Sequence, residues 1–127
     1  MQLLLDIHAF LWIINGGPLS QRARRSFLDQ ENETHLSAAS YWEISIKVSI
    51  GRLVLADDWI EVFDRELAVN RIKWLPIKKE HCAGVMNLPM IHRDPFDRLL
   101  IAQALFEQMT LLTHDEYIQQ YDAPFLW

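Results

Sequence analysis

Very short strand-like runs alternate with longer segments of helical periodicity, and this alternation constrains the chain most. Leu3-Leu4-Leu5 is an apolar run stopped at once by Asp6, and Thr34 to Ser37, Ile72 to Leu75 and Thr110 to Leu112 read as further short strands. An uninterrupted apolar run has no polar face, so as a strand it must be covered on both sides. Helical spacing fills the intervals, and strands that each hand over to a helix pair in parallel, because a parallel return needs a crossover. The expected fold class is therefore α/β, in three layers, with a central parallel sheet of four to five strands. Pro124 to Trp127 supplies the fifth as an edge strand.

The helix boundaries carry their own signals. His8 to Asn15 is the first helix, and Leu19 to Asp29 follows the Gly16-Gly17-Pro18 turn. Ser37 or Ser40 caps the next, whose apolar stripe is Trp42, Ile46 and Ile50 and which Gly51 ends. Asp57-Asp58 opens a helix with Ile60, Phe63 and Leu67 on its inner face, the two acids sitting where the macrodipole favours them. Lys78 to Met86 is a short helix. Asp94-Pro95 combines an N-cap aspartate with a first-turn proline, and that helix runs to Gln108 on Leu99, Leu100, Ala102, Leu105 and Phe106. Asp115 to Tyr121 is the last helix.

The 127 residues, 50% apolar and 23% charged, suit one globular domain spanning the chain. No apolar run approaches the roughly 20 residues needed to cross a bilayer, and no signal peptide is expected. Cys82 is the only cysteine, which excludes internal disulfides and cysteine-rich zinc sites and fits a reducing cytoplasm. A formal net charge of −5 argues against holding nucleic acid by bulk basic charge. It leaves room for an enzyme whose acids surround a metal ion.

Topology sends four acids to one place. Asp6 ends the first strand and Asp115 lies just past the fourth, while Glu43 and Asp97 fall in the early turns of the helices that follow the second strand and precede the fourth. Crossover helices run antiparallel to the strands, so their N-termini share the edge of the strand C-termini, where open α/β sheets bind ligands. If the first and fourth strands are neighbours, all four carboxylates face one cleft. Two carboxylates about 4 Å apart repel by roughly 4 kcal/mol at an effective dielectric near 20. Either one takes a proton or a cation sits between them. A hard divalent ion with oxygen ligands and retained waters, Mg²⁺ or Mn²⁺, would settle the cluster and could polarise a phosphodiester.

Each acid has a plainer reading too. Ser40-x-x-Glu43 and Thr113-x-x-Glu116 match the capping box, Asp94 with Asp97 decorates a helix start, and Glu43 can pair with Lys47 one turn on. Convergence, not any single acid, favours chemistry.

Four blocks carry a family resemblance: Leu3-Leu4-Leu5-Asp6-x-His8-Ala9; Ser37-Ala38-Ala39-Ser40-x-Trp42-Glu43-Ile44-x-Ile46-Lys47; His92-Arg93-Asp94-Pro95-Phe96-Asp97-Arg98-Leu99-Leu100-Ile101-Ala102-Gln103-Ala104; and Leu112-Thr113-x-Asp115. In this order they resemble the PIN-domain ribonucleases, and among them the VapC-type toxins of bacterial toxin–antitoxin pairs. The resemblance implies Mg²⁺- or Mn²⁺-dependent endonucleolytic cleavage of RNA, with one or two ions held by Asp6, Glu43, Asp97 and Asp115. Thr113 matches a position that helps hold a metal-site water or carboxylate. It further implies a homodimer and a small antitoxin partner that crosses the active-site groove. Ile7 departs from the pattern, standing where a hydroxyl residue is usual. Two rivals are a PIN-like module that binds without cleaving and a haloacid-dehalogenase-like phosphatase with Asp6 as nucleophile; the latter wants an aspartate where His8 stands.

Around this cleft, His8, His92 and His114 could touch a phosphate or a water, although hard ions prefer oxygen ligands. Lys47, Arg52, Arg93 and Arg98 lie near the same edge and would meet RNA phosphates, with Arg98, beside Asp97, alternatively pairing with an acid. Trp42 and Trp59 are expected in the core, with base stacking or a partner contact the other reading for Trp12 and Trp42. Arg22, Arg24 and Arg25 are read as a solvated helix face.

Overall fold

A computed structural model describes residues 1–127. The chain runs β1 (Gln2–Leu5), α1 (Ile7–Asn15), α2 (Gln21–Leu28), β2 (Glu33–Ser37), α3 (Ala38–Ser49), α4 (Trp59–Val69), β3 (Lys73–Leu75), α5 (Lys79–Gly84), α6 (Pro95–Glu107), β4 (Thr110–Leu112) and β5 (Phe125–Leu126). Short 3-10 turns occupy Val85–Asn87 and Ile118–Gln120. All five strands are parallel, in the order β3-β2-β1-β4-β5. The expected α/β class and parallel sheet are present, with helices on both faces.

β1 shows why the sheet needs two covers. Leu3, Leu4 and Leu5 are all fully buried. Leu3 and Leu5 join one core with Phe10 of α1, Ile44 of α3 and Phe63 of α4. Leu4 points the other way, into a core with Leu100, Ile101 and Ala104 of α6 and with Leu111, Ile118 and Tyr121. Burying a side chain of this size contributes about 1.5–3 kcal/mol each. No helix is long and apolar enough to cross a membrane.

The chain builds outward from β1 in both directions, to β2 and β3 on one side and to β4 and β5 on the other, so the strand order reverses between β1 and β4. Leu5 lies opposite Leu112, which brings Asp6 beside Thr113 at the carboxyl edge. The condition for gathering the acids is met.

Several sequence expectations fail in detail. No helix forms over Asp115 to Tyr121: the Asp115 carboxylate accepts the Tyr117 and Ile118 N–H groups, only the 3-10 turn follows, and the chain must extend again by Phe125 to pair as β5. In α3, Ser37 is the cap, accepting the Ala39 N–H at 3.0 Å, so the Ser40 capping box does not exist. Its buried face is Ala39, Ser40, Glu43 and Ile44, where small residues allow close approach, whereas Trp42 and Ile50 are each 57% exposed. Trp42 is therefore not a core residue and packs edge-on against Phe96. Trp59 does pack against the core, and Ile60 faces out. In α6 the buried side chains are Arg98, Leu100, Ile101, Ala102, Gln103 and Ala104, while Leu105 and Phe106 are exposed. Between the sheet and α5, this helix buries a wider and more polar face than its leucines suggested. Asp58 offers no side-chain cap to α4.

Candidate functional site

Asp6 leaves β1 and caps α1, its Oδ1 accepting the Ala9 N–H at 2.7 Å. Its Oδ2 accepts the hydroxyl of Thr113, the first residue after β4. Only 4% of Asp6 is exposed. Burial raises its pKa; the Thr113 hydroxyl, the Ala9 N–H and His8 pull the other way, and Asp115 adds to the rise. Thr113, itself fully buried, also accepts the Asp115 N–H at 3.0 Å. One hydroxyl thus ties two acids from opposite ends of the chain. Asp115 in turn uses Oδ1 on the Tyr117 and Ile118 N–H groups.

Asp97 sits in the first turn of α6, behind an N-cap in which Asp94 accepts the Phe96 and Asp97 N–H groups at 2.9 and 3.0 Å. Burial pushes its pKa up to about 6, with Asp94, Asp115 and Glu43 adding to the rise and His92 opposing it. His92 Nε2 stands 3.0 Å from Asp97 Oδ2. Partners behind the ring hold it in place. The Tyr121 hydroxyl oxygen accepts the His92 backbone N–H at 3.3 Å and Arg98 Nη1 at 3.0 Å, and stands 2.8 Å from His92 Nδ1. His92 thus bridges the Tyr121 hydroxyl at Nδ1 and the Asp97 carboxylate at Nε2. Tyr117 stacks on the imidazole at 5.2 Å and holds its plane.

Glu43 is 8% exposed on α3 and pairs with Lys47 at 3.1 Å, as the spacing of four predicts. It reaches the group electrically by raising Asp97. Arg98 does not pair with Asp97. It is buried and donates to the Pro89 and Val85 carbonyls and to Tyr121, so the expectation that it meets RNA or an acid is replaced by a brace under the loop before α6. Arg22, Arg24 and Arg25 are solvated.

No three of these side chains close into a ready-made metal cage. Asp6 and Asp115 instead line an open recess with His8, Trp12 and His114, and Glu43 and Asp97 lie outside that lining. Oδ1 of Asp97, Oδ2 of Asp115 and Oε1 of Glu43 take no hydrogen bond from the protein. Carboxylate oxygens without protein donors, at the open edge of the sheet, fit a hard divalent ion that keeps much of its water better than they fit a closed zinc or calcium site.

Residues 3–124 match the family model of the PIN domain. The chain belongs to the PIN-domain family. Solved structures share the fold. A chain of VapBC2 from Rickettsia felis, bound to a DNA fragment from their promoter, superposes with a TM-score of 0.77 at 17% identity, covering 99% of this chain and 98% of that one. VapBC-1 from nontypeable Haemophilus influenzae gives 0.66 at 20% identity over 99% and 97%, and a toxin–antitoxin complex from Klebsiella pneumoniae 0.63 at 12% over 98% and 96%. No curated protein matches the sequence.

In this PIN domain, sequence reasoning missed the His92–Tyr121–Arg98 chain behind Asp97 and the part played by Trp127, which contacts Trp12 and stacks on His114. The position of His92, five residues before Asp97 and ahead of the Asp94 cap, was the available signal. Nothing local marks Tyr121 or Trp127, whose partners are brought by the return of the chain to β5.

Proposed function

We propose that this PIN domain is a metal-dependent endoribonuclease, the toxin of a toxin–antitoxin pair. The observation that supports the reading is the coupling of acids at the β1–β4 crevice: Asp115 raises both Asp6 and Asp97, Glu43 raises Asp97, and the Thr113 hydroxyl bonds Asp6. In it, the four acids hold one or two Mg²⁺ or Mn²⁺ ions, and Thr113 orients Asp6. A divalent ion bound there supplies a Lewis acid for the phosphodiester and lowers the pKa of an attacking water.

The chain's own residues prepare that event. Asp6 is locked at both oxygens by Ala9 and Thr113, and so presents its remaining lone pairs in one direction. His92 donates to one oxygen of Asp97 and leaves the other for the ion, while Lys47 does the same for Glu43. Once the ion is present, its charge offsets the repulsion that raises Asp97.

The solved neighbours, which are toxin–antitoxin complexes, support a protein antitoxin as partner. An apolar groove lined by Leu88, Ala102, Leu105 and Phe106 supports a homodimer, and an exposed lone thiol at Cys82 suits the cytoplasm. Light scattering that finds only monomer at micromolar concentration would count against the dimer.

The deciding experiment is RNA cleavage in Mg²⁺ or Mn²⁺ by wild type, Asp6→Asn and Asp97→Asn. Loss of cleavage in both variants is expected. Cleavage at the wild-type rate by either overturns the site assignment, and metal binding without turnover in wild type would identify a binding module instead.

A further inference from the structure

We propose that the recess beside the acids is a nucleobase subsite, in which one unpaired base of the RNA stacks on the ring of His114 and meets the tilted ring of Trp12 with its edge. The inference deepens the ribonuclease reading and rests on it. The recess is a cavity of about 180 Å³ with two kinds of wall: the carboxylates of Asp6 and Asp115, and the rings of His8, Trp12 and His114. The rings are braced. His8 lies 5.7 Å from Trp12, Trp12 lies 5.6 Å from Trp127, and His114 stacks on Trp127 at 5.3 Å with 19° between planes. Trp127 thus links the two rings that flank the cavity and holds their faces in place.

Charge narrows what can occupy such a recess. Its lining holds no lysine or arginine, and the chain carries a net charge of −5. A strand cannot be anchored here by phosphate–cation pairs, which supply most of ordinary nucleic-acid affinity. Flat ring faces beside an acidic, ion-binding edge suit a group that is planar at one end and anionic at the other, which describes a nucleotide. Its phosphate goes to the ion at the acids and its base to the rings. Stacking is tolerant of base identity, because every base has a π-face. It also requires the base to leave its neighbours, so the subsite selects unpaired nucleotides in single strands or loops over duplex.

The test is binding, read by fluorescence anisotropy with Ca²⁺, an oxygen-ligated ion, in place of Mg²⁺, and with the RNA shown intact on a gel after each reading. The probes are a labelled single-stranded RNA, the same RNA with an abasic ribose scanned along it, and a fully paired duplex. Wild type should bind the intact single strand about tenfold more tightly than the version abasic at one position, and should bind duplex more weakly. In Trp12→Leu and His114→Ala that tenfold difference should vanish. His114 is exposed, so His114→Ala keeps the test valid even if Trp12→Leu fails to fold. A flat abasic scan in wild type, or an unchanged scan in His114→Ala and folded Trp12→Leu, overturns the subsite. The two readings fail separately: a flat scan with intact Mg²⁺-dependent cleavage removes only the subsite, and a base-dependent scan without cleavage upholds the subsite and removes the nuclease.

Discussion

The Thr113 hydroxyl donates to the Asp6 carboxylate across 107 positions of sequence, and the same oxygen accepts the Asp115 N–H. Both side chains are buried, so neither can exchange its partner for water. Thr113→Val keeps the shape and removes the donor. It should destabilise the fold by about 1–3 kcal/mol in urea unfolding at neutral pH, the cost of leaving a buried carboxylate short of a partner. Thr113→Ser should recover most of the loss. Equal stability of Thr113→Val and wild type would show that the bond contributes nothing.

Asp97 gives a pH-dependent effect with a definite sign. Its pKa rises from 3.8 to about 6 in the folded protein, so between those values the native state binds more protons than the unfolded state. Stability contributed by this group therefore falls as pH rises through the window, and the penalty is complete above pH 6 and absent below the unfolded value. Asp97→Asn should stabilise the metal-free protein by an amount on the order of 2 kcal/mol at pH 7.5, and the gain should shrink towards zero as pH approaches 4. Thermal melts of the two proteins across that range measure it. A gain that is constant with pH would place its origin elsewhere.

Tyr121 acts on Asp97 only through His92. Tyr121→Phe removes the hydroxyl that holds His92 Nδ1 at 2.8 Å, so the imidazole can change tautomer and loosen its contact with Asp97. Mn²⁺ affinity, followed by electron paramagnetic resonance titration, should fall about tenfold. The ¹⁵N shifts of His92 in the metal-free protein should report the tautomer change directly. Unchanged affinity and unchanged shifts would leave the chain with a packing role alone.

Arg98 is the brace of the loop ahead of α6, donating to Pro89, Tyr121 and Val85 at 2.8, 3.0 and 3.3 Å. A lysine keeps the charge but cannot spread donors over three acceptors in a plane. Arg98→Lys should cost about 2–3 kcal/mol in denaturant unfolding. A cost below half a kcal/mol would mean that water replaces the lost contacts.

Much of the fold could be read directly. Leu3, Leu4 and Leu5 have no polar face to show, and that alone demands helices on both sides of β1. Asp94-Pro95 starts α6 where expected because cap and proline act within one turn. The errors are those of context. Trp42 and Phe106 look like core residues by composition, yet which side of a helix is inward depends on what packs against it. Asp115 to Tyr121 has helical spacing, but a side chain that accepts its own following N–H groups and a strand due a few residues later leave room only for a turn.

The sequence by itself determined the strands, their parallel pairing and the Asp94-Pro95 start of α6, because these depend on periodicity and on hydrogen bonds closed within a few residues. Only the tertiary structure decided that β1 and β4 are neighbours, that Thr113 binds Asp6, that Tyr121 and Arg98 stand behind His92, and that Trp127 bridges Trp12 and His114. Those contacts join segments tens of residues apart. Their partners are selected by strand order and by the shape of two cores, quantities that no local stretch of chain contains.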